Sequence, residues 1–376
     1  MSKPKIRIGL IGSGFMGKAH VFGYTTAARV FDLPFEVELH TLADVNDEAA
    51  AKAATALGFA HWTTDWRKMV ADRDIDVINI TAPNALHKEM ALAAIAAGKH
   101  VHCEKPLAPI ASDGRDMADA AESAKVKTQV GLNYLCNPMF GLARDMIAAG
   151  ELGEILGYRG VHAEDYMADP TSPFTFRHDP AGGGALADIG SHALATAEFL
   201  LSATAGPITR VMGDCVTMIS ERPDGKGGKR HVEVDDIGRA FLRFASGASG
   251  SIEGNWISTG RKMQHDFEVY GTKGALAFSQ ERFNELHFFS TDDPRGRQGF
   301  RRIEAGPDHP PYGLFCVAAG HQLGFNDLKA IEIAGFLDAI ADRRFEPFNF
   351  RAGLRIQTLV ETIQASSRAG AWKDVG

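Results

Sequence analysis

The stretch IRIGLIGSGFMGKAH (residues 6–20) decides the fold of the N-terminal part of the chain. Its apolar start is typical of a buried strand, and glycines follow in the spacing Gly-x-Gly-x-x-Gly at the opening of a helical pattern. In this context the glycines allow a tight turn, a close approach of a pyrophosphate to the backbone and close packing of helix and sheet. We therefore expect a dinucleotide to bind at Gly12, Ser13, Gly14, Phe15 and Met16.

Short runs rich in Val, Ile and Leu alternate with alanine-rich helical patterns in the same region. The predicted strands are residues 6–11, 37–43, 77–81, 100–103 and 128–132. The predicted helices are residues 47–57 with Asn46 as N-cap, 85–97, and 112–124 with Ser112 as N-cap. Strands buried on both faces and joined by helices form a parallel sheet. We therefore predict an α/β Rossmann dinucleotide-binding domain over residues 1–133.

The pattern changes in the second part of the chain. The segments IGRAFLRFASGASGSIEGNW (237–256) and FEVYGTKGALAF (267–278) contain alternating strands separated by tight turns, which indicates an antiparallel meander. Helical patterns cover residues 188–201, 328–341 and 354–368. We predict that residues 134–376 form an α+β domain with a large, open, mainly antiparallel sheet.

Composition narrows the classes of function. The chain has 376 residues, of which 45% are hydrophobic and 23% charged, and its formal net charge is −7. Mixed charges argue against nucleic acid or an anionic membrane as the main partner, and no apolar run approaches the ~18 residues that span a bilayer. Four widely spaced cysteines without a CxxC motif predict neither disulfides nor a metal site, and they indicate a reducing cytoplasm.

Asp44 ends the second predicted strand, 32 residues after Gly12. This is longer than the roughly 20 residues usual for an acidic residue that binds the adenosine ribose, and the segment 18–36 accounts for the excess. A carboxylate there accepts hydrogen bonds from a ribose 2′-hydroxyl and repels a 2′-phosphate. Val45 follows without a neighbouring arginine, so NAD is favoured over NADP. The alternative is that Asp44 only caps the next helix.

The segment HVHCEKPLAPI (100–110) places a carboxylate, an ammonium and a proline where the fifth predicted strand ends. Ligands bind at the carboxyl ends of such strands, and TAPNALH (81–87) leaves the preceding strand at the same edge. A lysine near a nicotinamide can polarise a substrate oxygen or act as a base. The residues expected to line this half of the cofactor are Thr81, Pro83, Asn84, His87, Glu104 and Lys105. The alternative is a surface ion pair between Glu104 and Lys105.

A second polar group lies in AGGGALADIGSHALATAEFLL (181–201). Asp188 and His192 are four residues apart, so on a helix they share one face, away from an apolar stripe. A histidine oriented by a carboxylate is a common proton acceptor. The alternative is a structural Asp–His pair on a surface helix.

Four motifs occur in this order along the chain: the glycine turn with His20, TAPNALH, CEKPLA and GGGALADIGSH. Together they resemble the Gfo/Idh/MocA family of oxidoreductases, and most of all its levoglucosan-type sugar dehydrogenases and its inositol 2-dehydrogenases. The resemblance implies three catalytic residues, Lys105, Asp188 and His192. It adds two cofactor contacts, Asn133 and Arg177. It implies that the substrate contacts are Lys105, Tyr134, Tyr166, Asp188 and His192.

The sequence departs from the family pattern at two places. Ala195 stands where many relatives have an aspartate, and Leu135 and Cys136 follow the NY pair where sugar dehydrogenases often have arginines. The side chains available to contact a sugar at these positions therefore differ from those of the relatives.

The function implied is NAD-dependent oxidation of a secondary hydroxyl of a sugar, anhydrosugar or cyclitol. Two alternatives are an NAD-dependent glycosidase that oxidises a hydroxyl transiently and a non-enzymatic regulator that senses NAD. An open sheet would expose an apolar face, so we also expect a homodimer or homotetramer.

Overall fold

Residues 3–343 and 348–376 are described by the computed structural model of the chain. The helices in these residues are α1 (Phe15–Val30), α2 (Asp47–Leu57), α3 (Trp66–Ala71), α4 (His87–Ala96), α5 (Ala111–Ala124), α6 (Pro138–Ala148), α7 (Ser191–Leu201), α8 (Tyr312–Phe315), α9 (Phe325–Ile340) and α10 (Phe350–Ala369). The strands are β1 (Lys5–Ile11), β2 (Glu36–Ala43), β3 (His61–Thr63), β4 (Val77–Ile80), β5 (His100–Cys103), β6 (Thr128–Val130), β7 (Ile155–Ala163), β8 (Ile208–Val216), β9 (Glu221–Pro223), β10 (Lys229–His231), β11 (Ile237–Phe244), β12 (Ser249–Asn255), β13 (Gln264–Gly271), β14 (Gly274–Ser279), β15 (Glu285–Ser290), β16 (Arg301–Glu304) and β17 (Lys373–Asp374).

These elements form two compact units. The first contains Met1–Cys136 and Gly324–Arg355, and the second contains Asn137–Leu323 and Ile356–Gly376. The grouping differs from the expected division after residue 133, because α9 packs on α1 in the first unit. A Cβ atom on Gly23 of α1 would lie 2.6 Å from Ile333 Cδ1 on α9, which shows how closely the two helices approach.

The first unit contains a parallel sheet with the strand order β3-β2-β1-β4-β5-β6, formed by the described residues. This confirms the predicted Rossmann domain. Asn46 caps α2 as predicted, because its Oδ1 accepts the N–H of Ala49 at 2.9 Å. The prediction for Ser112 is wrong: α5 begins one residue earlier and its N-cap is Ile110. The short elements β3 and α3 were not predicted from the sequence.

The second unit contains a sheet with the order β16-β15-β14-β13-β7-β12-β11-β8-β17. Among the described strands of this sheet, only β7 and β12 pair in parallel, which confirms a mainly antiparallel sheet. The side chain of Phe140 on α6 packs edge-on against the rings of Phe267 and Phe278, with centroids 5.1 and 4.9 Å away. Such aromatic contacts fix helix α6 on the sheet.

One face of this sheet is more polar than expected. On β11, Arg239, Phe241 and Arg243 point outward and are exposed. Arg239 pairs with Glu253 on β12 at 2.8 Å, and an equivalent ion pair joins β7 to β13. The outer face of this sheet is therefore not apolar as predicted. It carries ion pairs between neighbouring strands, and Phe241 is exposed among them.

Within residues 3–343 and 348–376, no helix combines the length and the hydropathy that a membrane crossing requires.

Candidate active site

The glycine turn has the geometry that a dinucleotide requires. Gly12 has a φ of +95°, a conformation that side-chain-bearing residues rarely adopt. A Cβ atom on Gly17 would lie 2.2 Å from the carbonyl oxygen of Gly12, so only glycine fits there. A Cβ atom on Gly14 would meet no atom within 4 Å, which leaves open space before the N-terminus of α1. This N-terminus, with its N–H groups and its positive dipole end, suits a pyrophosphate.

Asp44 lies beside this turn. Its Oδ2 accepts the backbone N–H of Ser13 at 3.0 Å and also a bond from the Ser13 hydroxyl, and its Oδ1 accepts the N–H of Val45 at 2.7 Å. Val45 is exposed. The glycine turn thus holds the carboxylate directly after β2, where it can accept bonds from a ribose.

His87 joins the two turns that follow β4 and β5. The ring is fully buried, its Nδ1 lies 3.0 Å from the carbonyl oxygen of Pro106, and its Nε2 lies 2.9 Å from that of Ala82. Burial lowers the pKa of His87, although both carbonyls oppose the shift. Thr81 donates from its hydroxyl to the carbonyls of Ile11 and Gly12. Both side chains therefore fix the loops on either side of the proposed nicotinamide position.

Pro83 and Asn84 lie between these two residues. Asn84 starts a 3-10 turn, Asn84–Leu86, and Pro83 is its N-cap. A second 3-10 turn, Asn133–Cys136, follows β6; Asn133 is buried there, and the Tyr134 ring lies 6.0 Å from the ring of Phe325 on α9. The structure thus places these three predicted contact residues, Pro83, Asn84 and Asn133, at the carboxyl ends of β4 and β6.

Glu104 does not form the exposed ion pair that was the alternative reading. It is only 6% exposed, and its Oε1 lies 2.7 Å from His20 Nε2 and 3.1 Å from Lys329 Nζ. Its Oε2 accepts the backbone N–H of Lys105 at 3.2 Å. Lys329 also donates to Glu332 Oε2 at 2.5 Å. We call the side chains of His20, Glu104, Lys329 and Glu332 the buried charge cluster.

The members of the cluster set one another's charge. Burial alone would raise the pKa of Glu104, but the charge of Lys329 and the bond from His20 hold it well below its usual range. Burial alone would lower the pKa of Lys329, but Glu104 and Glu332 raise it. Burial and the charges of Lys329 and His102 lower the pKa of His20 to about 4. At neutral pH the cluster therefore contains two carboxylates, one ammonium and a neutral imidazole.

In the second unit, Asp188 lies in a π-helical segment, Leu186–Gly190, that runs directly into α7. The predicted α-helix from residue 188 therefore begins three residues later. Such π-helical turns are frequent at functional sites. Asp188 Oδ2 accepts bonds from the Tyr166 hydroxyl at 2.7 Å and from Arg177 Nε at 3.0 Å. Arg177, predicted as a cofactor contact, thus pairs with the predicted catalytic carboxylate and lies over the ring of Phe176.

His192 is 4% exposed, so it does not face solvent as the surface-helix alternative required. Its ring lies 5.3 Å from that of His162 on β7 and 6.0 Å from that of His265 on β13. His162 Nε2 lies 2.9 Å from Glu164 Oε1. Burial, and then the charge that His162 can carry, holds the pKa of His265 well below its usual value. His192 is therefore surrounded by buried imidazoles.

The predicted site residues fall into two groups, one in each unit. Sequence reasoning missed the partners that surround them: Asn79, His162, Glu164, His265, Lys329 and Glu332. The sequence signals for the imidazoles around His192 were the alternating apolar and polar residues of β7 and the histidines near strand ends. Among the described residues, no three His, Cys, Asp or Glu side chains are arranged to hold a metal ion.

Comparison with known proteins identifies the two parts of the chain. Residues 6–132 match an oxidoreductase family described by its NAD-binding Rossmann fold, and residues 140–277 match the GFO/IDH/MocA C-terminal domain. The chain belongs to the GFO/IDH/MocA family. The prediction of an NAD(P)-dependent oxidoreductase that acts on CH–OH groups is thereby confirmed, and the residues of the glycine turn fit the cofactor that the family domain binds.

Individual relatives agree with this membership. The chain is 37% identical to levoglucosan dehydrogenase of Pseudarthrobacter phenanthrenivorans, an alignment that covers 98% of each chain. It is 28% identical to inositol 2-dehydrogenase of Rhizobium meliloti, over 89% of this chain and 88% of that one. A solved structure of levoglucosan dehydrogenase in complex with NADH and L-sorbose superimposes with a TM-score of 0.96, and 99% of each chain is covered.

The buried charge cluster predicts a specific pH dependence of stability. The pKa of His20 is about 4 in the folded protein and roughly 6.5 in an unfolded chain. Between these values the unfolded state binds the extra proton, so stability is present above about pH 6.5 and is lost as pH falls toward 4, by at most on the order of 3 kcal/mol. In His20→Gln this loss should be smaller, measured by denaturant unfolding at several pH values.

The half-exposed His40 on β2 offers a matched control. His40→Gln should keep the pH dependence of the wild-type protein. An unchanged pH dependence in His20→Gln would contradict the assignment of a buried, neutral His20.

Proposed function

We propose that this protein is an NAD-dependent dehydrogenase that oxidises a secondary hydroxyl of a sugar, anhydrosugar or cyclitol to a ketone. The observation that carries the proposal is the Asp188 carboxylate, which accepts bonds from Tyr166 and Arg177 beside the buried His192. Such a group offers both hydrogen bonds for a polyhydroxyl substrate and a proton acceptor. The names of the relatives, levoglucosan dehydrogenase and inositol 2-dehydrogenase, support the substrate class and favour a dehydrogenase over a glycosidase or a sensor.

In the proposed reaction, Lys105 holds the reacting oxygen, and Tyr134, Tyr166, Asp188 and His192 orient the substrate. The hydroxyl proton passes to His192 or to Lys105. The nicotinamide cofactor, when bound, accepts the hydride from the carbinol carbon. Asp188 would stabilise the positive charge that His192 gains if it is the acceptor.

The turns of the first unit would hold the cofactor. The N–H groups at Gly14 and the start of α1 would bind the pyrophosphate, and Asp44 would bind the adenosine ribose. The other proposed cofactor contacts are Thr81, Pro83, Asn84, His87, Asn133 and Arg177. Glu104 would fix the position of Lys105. The cytoplasm remains the proposed compartment, on the basis of the widely spaced cysteines.

The catalytic assignment is tested with Lys105→Ala and His192→Ala. Each should bind NAD nearly as well as the wild-type protein and should lower turnover by roughly 10²–10⁴-fold, because a group that transfers or holds the proton is lost. Turnover is measured as NADH formation with a panel of anhydrosugars, sugars and inositols. If only Lys105→Ala is inactive, Lys105 is the proton acceptor; near-wild-type turnover of both variants would refute the assignment.

The cofactor preference is tested at Asp44. Calorimetry should show tighter binding of NAD than of NADP by at least about tenfold, or about 1.4 kcal/mol, because the carboxylate repels a 2′-phosphate. Asp44→Ser combined with Val45→Arg should shift the preference toward NADP, whereas Val45→Ala, which keeps the carboxylate, should not. Equal affinities in the wild-type protein would contradict the proposal.

The outer face of the second unit's sheet is the proposed contact of a homodimer or homotetramer. Phe241 is exposed there between Arg239 and Arg243, and the paired charges on neighbouring strands offer polar contacts around it. Light scattering at micromolar protein should give a dimer or tetramer, and Phe241→Glu should weaken it because it buries a charge at the contact. Leu314→Glu, also at an exposed apolar residue, is the control. A monomeric wild-type protein would overturn the proposal.

A further inference from the structure

Lys329 is a fully buried lysine that the proposed reaction does not use. It lies on α9, and its ammonium donates to Glu104 Oε1 at 3.1 Å and to Glu332 Oε2 at 2.5 Å. Removing an ammonium from water costs several kcal/mol unless partners compensate. Lys329 contacts Glu104, the residue that precedes the proposed substrate-binding Lys105, so we ask what role it has there.

The Glu104 carboxylate that Lys329 contacts is fixed on every side. His20 donates from Nε2 at 2.7 Å, and Asn79 Nδ2 lies 2.8 Å from His20 Nδ1, which assigns the ring hydrogen to Nε2. A Cβ atom on Gly131 would lie 2.5 Å from Glu104 Oε1, so the glycine leaves just enough space for the carboxylate. The remaining oxygen accepts the backbone N–H of Lys105. Glu104 therefore has one orientation, and that orientation holds the Lys105 backbone.

The charge of Lys105 also acts on the cluster. With neutral histidines, the carboxylates of Glu104 and Glu332 and the ammonium of Lys329 leave one net negative charge. The positive charge of Lys105 is among the influences that keep Glu104 ionised.

We propose that Lys329 is a positioning residue for Lys105: it keeps Glu104 as a carboxylate, and that carboxylate fixes the backbone of Lys105. The role rests on the proposed function insofar as Lys105 acts on the substrate. Its effect on Glu104 is independent of any substrate.

Several titratable groups face Glu104 from the elements around it. They are His20 on α1, His87 on α4, His102 and Cys103 on β5, Lys105 in the following turn, and Lys329 and Glu332 on α9. Lys329 is the cation in direct contact with the carboxylate at 3.1 Å. Without it, burial dominates and Glu104 should take up a proton near neutral pH, as buried glutamates with a pKa of about 8–9 do.

The test compares the wild-type protein with Lys329→Met. Infrared spectra should show the carbonyl stretch of a protonated carboxylic acid at neutral pH in the variant only, and Glu104→Gln in the same background should remove it. Turnover should be lowest at acid pH relative to the wild-type protein. It should recover by about tenfold for each pH unit as the carboxylate forms again. If Lys329→Met does not fold, Lys329→Gln takes its place, because its amide can still donate to both carboxylates without a charge.

Two further variants separate charge from packing. Glu332→Gln removes the other carboxylate but leaves Lys329 on Glu104, so turnover should stay within about twofold of the wild-type protein at every pH, far from the tenfold steps of a lost carboxylate. Lys329→Met with Glu332→Gln removes one charge of each sign. This double variant should be more active than Lys329→Met alone, because Glu104 no longer faces a second carboxylate.

If Lys329→Met lowered turnover only by disturbing the packing of the core, its results would differ from those expected above. The proposal is overturned if Lys329→Met shows no protonated carboxyl group, if its turnover is reduced by the same factor at every pH, or if the double variant is no better than the single one. If the wild-type protein oxidises no sugar or inositol, the proposed function fails, and the infrared comparison alone then decides the role of Lys329.

Discussion

The structure of the first unit depends on one buried carboxylate, that of Glu104. Glu104 ends a buried strand, and its ionised form requires cations and donors in the interior, because an unpaired buried charge costs several kcal/mol. The nearest cation comes from Lys329, more than two hundred residues later in the chain. This contact lies within the first unit, to which residues 324–355 belong, whereas residues 137–323 and 356–376 form the second.

The features that the sequence predicted correctly are those with local causes. The glycine turn has its own steric signature, since Gly17 has no room for a Cβ atom beside the carbonyl of Gly12. The strands buried on both faces are unbroken apolar runs, and Asn46 is a strong N-cap followed by an alanine-rich helix. The resemblance to a family added the order of the motifs, and comparison with known proteins confirmed it over nearly the whole chain.

The features that it could not predict depend on contacts between distant residues. Lys329 and Glu332 are three residues apart, a spacing typical of an exposed ion pair on a helix, and nothing local shows that α9 buries them. Ser112 is a good capping residue, yet the chain enters α5 at Ala111 because Ile110 already has the extended conformation of an N-cap. His265 approaches His192 only because β13 pairs with β7 across more than a hundred residues.

The residues proposed to act on the substrate have different electrostatic surroundings in the two units. Beside Lys105, Glu104 and Lys329 form a buried ion pair, and Glu104 also accepts the backbone N–H of Lys105. Around His192, burial lowers the pKa of His265, and the nearer ring of His162 is paired with Glu164. A dehydrogenase needs a group that polarises the substrate oxygen and a group that receives its proton. Paired charges therefore fix the turn that carries Lys105, whereas His192 lies beside buried imidazoles.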